Sequence, residues 1–264
     1  MINSYHTHLA FCKHAEGYAE DYILEAIKLN MEEIGITDHI PVTIDFYNDI
    51  DFKRYNCNTK MDYTQIKDYF NDVLSAREKY KDKIKVYLGF ECEYYDKLIP
   101  ILNEFKHKVD YLVLGIHHYY YEGKFNSSYN TYDYIRNYGK LAVEALNSKL
   151  FKIFAHPDMF LWSYMNNSFD ELCEEVTRSI CEAAIKNNVY LEINTNKIRD
   201  WMQNGNQFPY PNESFWKIVS EYKNIKVVVS SDAHKPQYLY DESVEYAYDW
   251  GKRFNLSIVD KIDL

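Results

Sequence analysis

The sequence predicts one barrel-like α/β domain that spans residues 1–264. Short apolar runs with little alternation recur along the chain, and such runs are typical of parallel strands that are buried on both faces. A longer amphipathic segment follows most of them, which predicts βαβ units and a parallel sheet. No linker rich in Pro, Gly or Ser divides the chain, and no internal repeat is visible. Seven strands in this pattern are close to a full turn of a barrel.

The predicted elements alternate along the whole chain. The strands cover residues 2–5, 33–37, 84–90, 111–116, 152–155, 189–193 and 226–229. The helices between them cover residues 21–31, 62–80, 132–147, 169–187, 213–222 and 243–253. Residues 40–61 and 119–131 are predicted loops. Both loops follow the C-terminal end of a strand, which is where α/β barrels place their active sites.

The charge and composition of the chain narrow its partners. A net charge of -10 argues against nucleic acid or an anionic membrane, because both favour Lys and Arg. A small phosphorylated substrate stays compatible with this charge, since bound cations reverse the local field of a pocket. The five cysteines form no C-x-x-C pair, which indicates reduced thiols. We find no signal peptide and no membrane-spanning run, so we expect a cytoplasmic protein of undetermined oligomeric state.

Histidines and carboxylates stand where the predicted strands end. His6 and His8 form an H-x-H pair, and residues two apart in extended backbone point to the same side. The other positions of this kind are His14 in the next loop, His39 in ITDH, Glu91 at a strand end, the neighbours His117 and His118, His156 in AHPD, and Asp232 and His234 in SSDAH. Only His107 falls outside the pattern.

Taken together, these positions predict a metal centre. Each residue alone is more often a helix cap or a hydrogen-bonding group. The ends of parallel strands, however, converge on one rim of a barrel. So many N and O ligands exceed the four that one zinc site takes, which predicts two or three divalent ions. Imidazole-rich sites suit Zn, Mn or Fe, and neighbouring ions of this kind favour hydrolysis of a phosphate ester.

The ordered motifs resemble those of the polymerase and histidinol phosphatase (PHP) family. The resemblance covers essentially the whole chain and implies a distorted (β/α)7 barrel with a trinuclear metal centre. By motif it implies three ligand sets: His6, His8, Glu91 and Asp232 for the first ion, Glu91, His117 and His156 for the second, and His14, His39 and His234 for the third. His117 matches the family spacing from Asp110, and strand alternation turns His118 to the opposite side.

Two further segments, LEINTNKIRD and FPYPNESFW, resemble the histidinol-phosphatase branch of that family. This branch implies hydrolysis of L-histidinol phosphate, as in histidine biosynthesis, by attack of a metal-bound hydroxide. Arg199 is then the candidate for contacting the phosphate, because its planar guanidinium matches phosphate oxygens. The alternative for Arg199 is a surface ion pair. Asp232 or His234 is the candidate proton donor to the leaving alcohol, and the sequence does not choose between them.

Other interpretations remain open at this stage. Asp45, Phe46 and Tyr47 are placed to receive the cationic leaving group, or they only pack their loop. The same metal centre also suits a phosphatase of phosphotyrosine proteins or of other small phosphate esters. A non-catalytic, metal-binding regulatory domain is a third interpretation, and the complete ligand set argues against it.

Overall fold

The fold is built around a six-stranded parallel sheet with the strand order β1-β2-β3-β6-β7-β8. A computed structural model describes residues 3–41, 60–117, 119–121, 124–126, 131–164, 169–207 and 210–264. The strands are β1 (Glu33–Ile36), β2 (Lys85–Cys92), β3 (Tyr111–Leu114), β4 (Tyr119–Tyr121), β5 (Lys124–Asn126), β6 (Ile153–Phe154), β7 (Tyr190–Asn194) and β8 (Val227–Ser230). Strands β1, β3 and β8 are buried at every position, which explains their lack of alternation.

Residues 3–8, here called the closing segment, lie between the two edge strands of this sheet. Ser4 pairs in parallel with Ile34 of β1, and Thr7 pairs in parallel with Ala233 just after β8. The backbone amide of His8 donates to the carbonyl of Ala233 at 2.9 Å. The predicted strand at 2–5 is therefore wrong in form, since the pairing consists of isolated bridges. The segment nevertheless joins the two edges of the sheet.

The helices alternate with the strands as predicted. They are α1 (Ala19–Lys28), α2 (Ile66–Tyr80), α3 (Ile99–Phe105), α4 (Tyr132–Asn147), α5 (Glu171–Asn187), α6 (Asn196–Asn204), α7 (Glu213–Val219) and α8 (Glu242–Arg253). Side chains of Thr131, Asp170, Asn212 and Asp241 cap four of them. Within the described ranges, every helix is too short or too polar to span a bilayer.

Three elements were not predicted. Helix α3 has seven residues and carries a proline in its first turn, and helix α6 has nine residues of which only Ile198 and Arg199 are buried, so neither shows an extended apolar stripe in the sequence. Strands β4 and β5 form an antiparallel hairpin inside the predicted loop at 119–131. Of the predicted loop at 40–61, residues 42–59 lie outside the described part, and Asp45, Phe46 and Tyr47 fall there.

Tyrosines fill one end of the barrel interior. Tyr5, Tyr87, Tyr111 and Tyr190 pack together in a cluster distinct from the larger core under the helices. The hydroxyl of Tyr111 donates to the carbonyl of Tyr5 at 2.6 Å, and that of Tyr5 donates to Glu33 at the same distance. Because strand residues an even number apart share a face, Glu91, four residues after Tyr87, and Glu192, two residues after Tyr190, lie on the same face as these tyrosines but nearer the other end of the interior.

Gly35 provides the space that this tyrosine cluster needs. A Cβ atom at Gly35 would lie 1.8 Å from the hydroxyl oxygen of Tyr111. We expect Gly35→Ala to lower the free energy of unfolding by about 1–3 kcal/mol, the usual cost of overpacking. Urea unfolding monitored by circular dichroism measures this. In a Tyr111→Phe background, which lacks the hydroxyl, the loss should be smaller, and an equal loss in both backgrounds would contradict the explanation.

Candidate metal centre

The C-terminal ends of the strands bring all nine predicted ligand side chains to one rim. The closing segment carries His6 and His8, strand β2 carries Glu91, and the segments between the other elements carry the rest. In the described part of the chain, five groups of three side chains have ligand atoms within 4.8 Å of one another: His6 with His8 and Asp232, Glu91 with His117 and His156, His14 with His39 and His234, His8 with His39 and Glu91, and His8 with Cys12 and His234. The first three groups lie within the ligand sets implied by the resemblance.

Glu91 stands at the centre of this rim, near the end of β2. Its Oε2 lies 2.9 Å from Nδ1 of His39 and 3.6 Å from Nε2 of both His6 and His8. Its Oε1 faces a second group, with Nε2 of His156 at 3.2 Å and Nε2 of His117 at 3.4 Å. The two oxygens of one carboxylate therefore face two groups of imidazoles. This is the arrangement of a carboxylate that bridges two cations.

Imidazole nitrogens face one another elsewhere on the rim. Nε2 of His6 and Nε2 of His8 are 3.1 Å apart, and Nε2 of His14 and Nε2 of His234 are 2.8 Å apart. Zn–N bonds of 2.0–2.1 Å in tetrahedral geometry place two nitrogens about 3.3 Å apart. Oδ1 of Asp232 is buried and lies 3.1 Å from Nε2 of His8. Within the described residues this oxygen has no hydrogen-bond partner. This donor set fits divalent cations.

The backbone turns two of these side chains toward the rim by unusual conformations. His156 has a φ of 35° and Asp232 a φ of 47°, which is the left-handed region that residues other than glycine rarely adopt. Each such residue costs roughly 1–3 kcal/mol and is found mainly at functional sites. Each residue lies two positions after the end of a short strand, β6 for His156 and β8 for Asp232, so the turn redirects the side chain over the end of the sheet.

The pKa values of the rim are shifted in both directions. Burial would lower the pKa of His6, but the carboxylates around it raise that pKa well above its usual range. Burial would raise the pKa of Glu91, but the imidazoles of His117, His39 and His6 lower it well below its usual range. Burial lowers the pKa of His39, and burial together with His8 lowers the pKa of His234 to about 3. The carboxylate is thus ionised and these two imidazoles are neutral near pH 7, which are the forms that bind metal.

Two carboxylates behind the rim were missed by the sequence analysis. Glu192 of β7 accepts a hydrogen bond from Nδ1 of His6 at 2.9 Å. Glu93 lies 3.0 Å from Nδ1 of His117. Both glutamates are buried. Strand alternation places Glu93 on the same side as Glu91, and that signal was available in the sequence.

A cavity of about 480 Å³ opens over the rim. Trp162, Tyr210 and Met159 form apolar parts of its wall, and two lysines that the sequence analysis missed, Lys60 and Lys197, also line it. The Lys197 ammonium lies 4.8 Å from the centre of the Trp162 ring. The candidate metal ligands thus line the bottom of the cavity, and cationic and aromatic side chains line its walls.

His118, the neighbour of His117, lies outside the described residues.

Arg199 lies on α6 beside an adjoining cavity of about 280 Å³, which Asp232 and His234 also line. Its side chain is buried, and its Nε donates to Asp241 at 2.5 Å. Its terminal nitrogens donate to the carbonyls of Ser231 and Tyr238 and to the hydroxyl of Thr195. The ion pair considered from the sequence is present, although it is buried rather than exposed. The phosphate contact stays a prediction.

Known proteins resemble this chain in sequence. The family model described as PHP domain matches residues 4–196. A Schizosaccharomyces pombe protein named "Probable histidinol-phosphatase" is 31% identical over 123 residues, which are 45% of this chain and only 39% of that relative. A protein of the same name from Deinococcus radiodurans is 23% identical over 246 residues, which cover 88% of this chain and 85% of the relative.

A solved structure shares the fold. It is the crystal structure of histidinol phosphate phosphatase from Lactococcus lactis, complexed with zinc, L-histidinol and phosphate. The TM-score is 0.72 at 18% sequence identity, and the match covers 100% of this chain and 99% of that chain. This likeness confirms the predicted class of α/β barrel.

The bridging position of Glu91 can be tested by metal content. Glu91→Gln removes one negative charge and one ligand oxygen, so we expect it to weaken zinc binding at least about tenfold, the lower limit for changes even behind a metal site. Elemental analysis of desalted protein measures zinc per chain. Glu33→Gln is the matched control, since Glu33 is also buried but contacts Tyr5 at the far end of the interior. Equal zinc content in all three proteins would contradict the assignment.

Proposed function

Since the chain belongs to the PHP domain family, we propose that it is a metal-dependent phosphatase that hydrolyses L-histidinol phosphate to L-histidinol and phosphate. The observation that carries this proposal is Glu91, whose two oxygens face separate groups of imidazoles. The names of the fungal and bacterial relatives support the substrate. So does the Lactococcus lactis enzyme, which was crystallised with zinc, L-histidinol and phosphate.

The ligand sets define what the chain would hold. His6, His8, Glu91 and Asp232 would bind the first divalent ion, Glu91, His117 and His156 the second, and His14, His39 and His234 the third. Zinc, manganese or iron suits these ligands. When bound, such ions supply a nucleophile near neutral pH and offset the charge that develops on phosphoryl oxygens.

The residues around the ions would orient the ester and move the proton. Hydrolysis adds a hydroxyl group to phosphorus and breaks the bond between phosphorus and the alcohol oxygen, which then takes up a proton. Asp232 or His234 would deliver that proton, since both border the two cavities. Arg199 would bind a phosphate oxygen from the adjoining cavity. Trp162 and Tyr210 would exclude water from the main cavity, whose volume of about 480 Å³ suits a small ester.

A substrate panel tests the proposed reaction. We expect phosphate release from L-histidinol phosphate to exceed release from other small esters and phosphotyrosine peptides by at least about 100-fold in kcat/KM, a difference of roughly 2.7 kcal/mol. Chelation should abolish the activity, and zinc, manganese or iron should restore it. Chelator-sensitive activity on other esters, without a preference for L-histidinol phosphate, would support the metal centre and contradict the proposed substrate. Failure of every metal to support turnover would favour a regulatory domain.

Inhibition by inorganic phosphate tests Arg199. Hydrogen bonds to charged groups contribute about 1.5–3 kcal/mol, so Arg199→Lys should weaken phosphate inhibition by about 10–100-fold. Asp241→Asn is the control, because it removes the ion pair and keeps the guanidinium. Unchanged inhibition in both variants, with reduced thermal stability, would assign Arg199 to the ion pair alone.

A further inference from the structure

Several imidazoles of the rim differ in the group that contacts Nδ1, the ring nitrogen that is turned away from the proposed ion. For His6 this group is Glu192, whose side chain is fully buried. Asn194 donates to Glu192 at 2.7 Å and to Asp232 Oδ2 at 3.2 Å. One buried network therefore orients two ligands of the first set. A carboxylate behind a histidine fixes the tautomer and makes the other nitrogen a stronger donor to a metal.

The second set is supported in the same way. Glu93 is 1% exposed, and it lies 3.0 Å from Nδ1 of His117 while accepting from the backbone amide of that residue at 3.2 Å. His156 in this set is 1% exposed. The second set thus shares the carboxylate of Glu91 and has another carboxylate behind one of its histidines.

Among the described residues, the third set has no carboxylate of its own behind its imidazoles. Nδ1 of His14 faces the carbonyl of Cys12 at 2.9 Å, and Nδ1 of His234 faces the carbonyl of Asp232 at 3.0 Å. The carboxylate oxygen Oδ1 of Asp232 is farther from Nδ1 of His234, at 3.5 Å, and it belongs to the first set. Peptide carbonyls carry no net charge. The remaining imidazole, His39, contacts Glu91, whose charge the first two sets already share. His14 is exposed to solvent and His234 is partly exposed.

These differences have a direct consequence for cation binding. The three side chains of the third set are all imidazoles, so a cation there would gain no carboxylate of its own, and it would lie beside two other cations. Carboxylates, which would offset that repulsion, are concentrated on the first two sets. Water also reaches His14 and His234 more easily than it reaches His6, His8 or His156.

We propose that the centre binds its ions with graded affinity, so that the ion at His14, His39 and His234 exchanges freely while Glu192 and Glu93 help retain the other two. In this arrangement Glu192 and Glu93 are positioning residues, because they act through His6 and His117. The proposal rests on the three-ion centre proposed above, and it does not depend on the identity of the substrate.

Stepwise chelation tests the grading without measuring activity. Zinc-loaded protein is equilibrated with increasing concentrations of a chelator, and zinc per chain is measured by elemental analysis after desalting. We expect one equivalent to leave first, followed by a plateau at two. His14→Ala should begin at that plateau and then release its remaining zinc as the unaltered protein does. Release of all zinc in one step, or a His14→Ala protein that still binds three equivalents, would overturn the proposal.

Glutamine variants test the positioning residues. Glu192→Gln and Glu93→Gln should release the two retained ions at about 10–100-fold lower chelator concentration, the range found for residues behind a metal site. The first release step should not move. Glu33→Gln, a buried glutamate at the other end of the interior, should leave both steps unchanged, and circular dichroism confirms folding of each variant. If either variant shifts the first step instead, the grading is reversed and the proposal fails. If both variants release the two retained ions at the same chelator concentration as the unaltered protein, the glutamates are not positioning residues.

Discussion

A buried, ionised carboxylate at the end of β2 is the constraint on which the rest of the site depends. Glu91 is 1% exposed, and burying such a charge without partners would be prohibitively costly. Five imidazoles contact its two oxygens, and they come from the closing segment and from the ends of β1, β3 and β6. The strands must therefore meet at one rim for the charge to be compensated at all. Cations bound among these groups would complete that compensation.

The rule that parallel strands end on one rim was sufficient to predict most of the site. It identified ten positions, because the position of a residue after a strand is visible in the sequence. The family spacing chose His117 over His118, and the structure brings the other nine side chains together. The order of strands and long helices was predictable for the same reason, since apolar runs and amphipathic stripes extend over enough residues to be recognised. The boundaries of the elements differ from the predicted ones by a few residues, as expected because the ends of helices and strands fray.

What the sequence did not reveal depends on contacts between distant residues. Glu192 meets His6 across 186 residues, and Asp158 meets Trp216 across 58, so nothing local marks either pair. The surroundings of Arg199 belong to this class too, because its partners come from the turn after β8 and from the start of α8. Helix α6 was not predicted for a different reason, since its nine residues contain too few apolar positions to show a helical period. Tertiary packing decides all of these features.

The closing segment ties the completion of the site to the two edges of the sheet. It pairs with β1 on one side and with Ala233 on the other, and the hydroxyls of Ser4 and Ser231 meet at 3.0 Å across 227 residues of sequence. His6 and His8 lie on this segment, so they reach their final positions only when β8 is in place. During synthesis on the ribosome, residues 3–8 emerge long before β8 does. The full set of ligands can therefore assemble only after β8 and the turn that carries Asp232 and His234 have been translated, which delays tight metal capture to a late stage of folding.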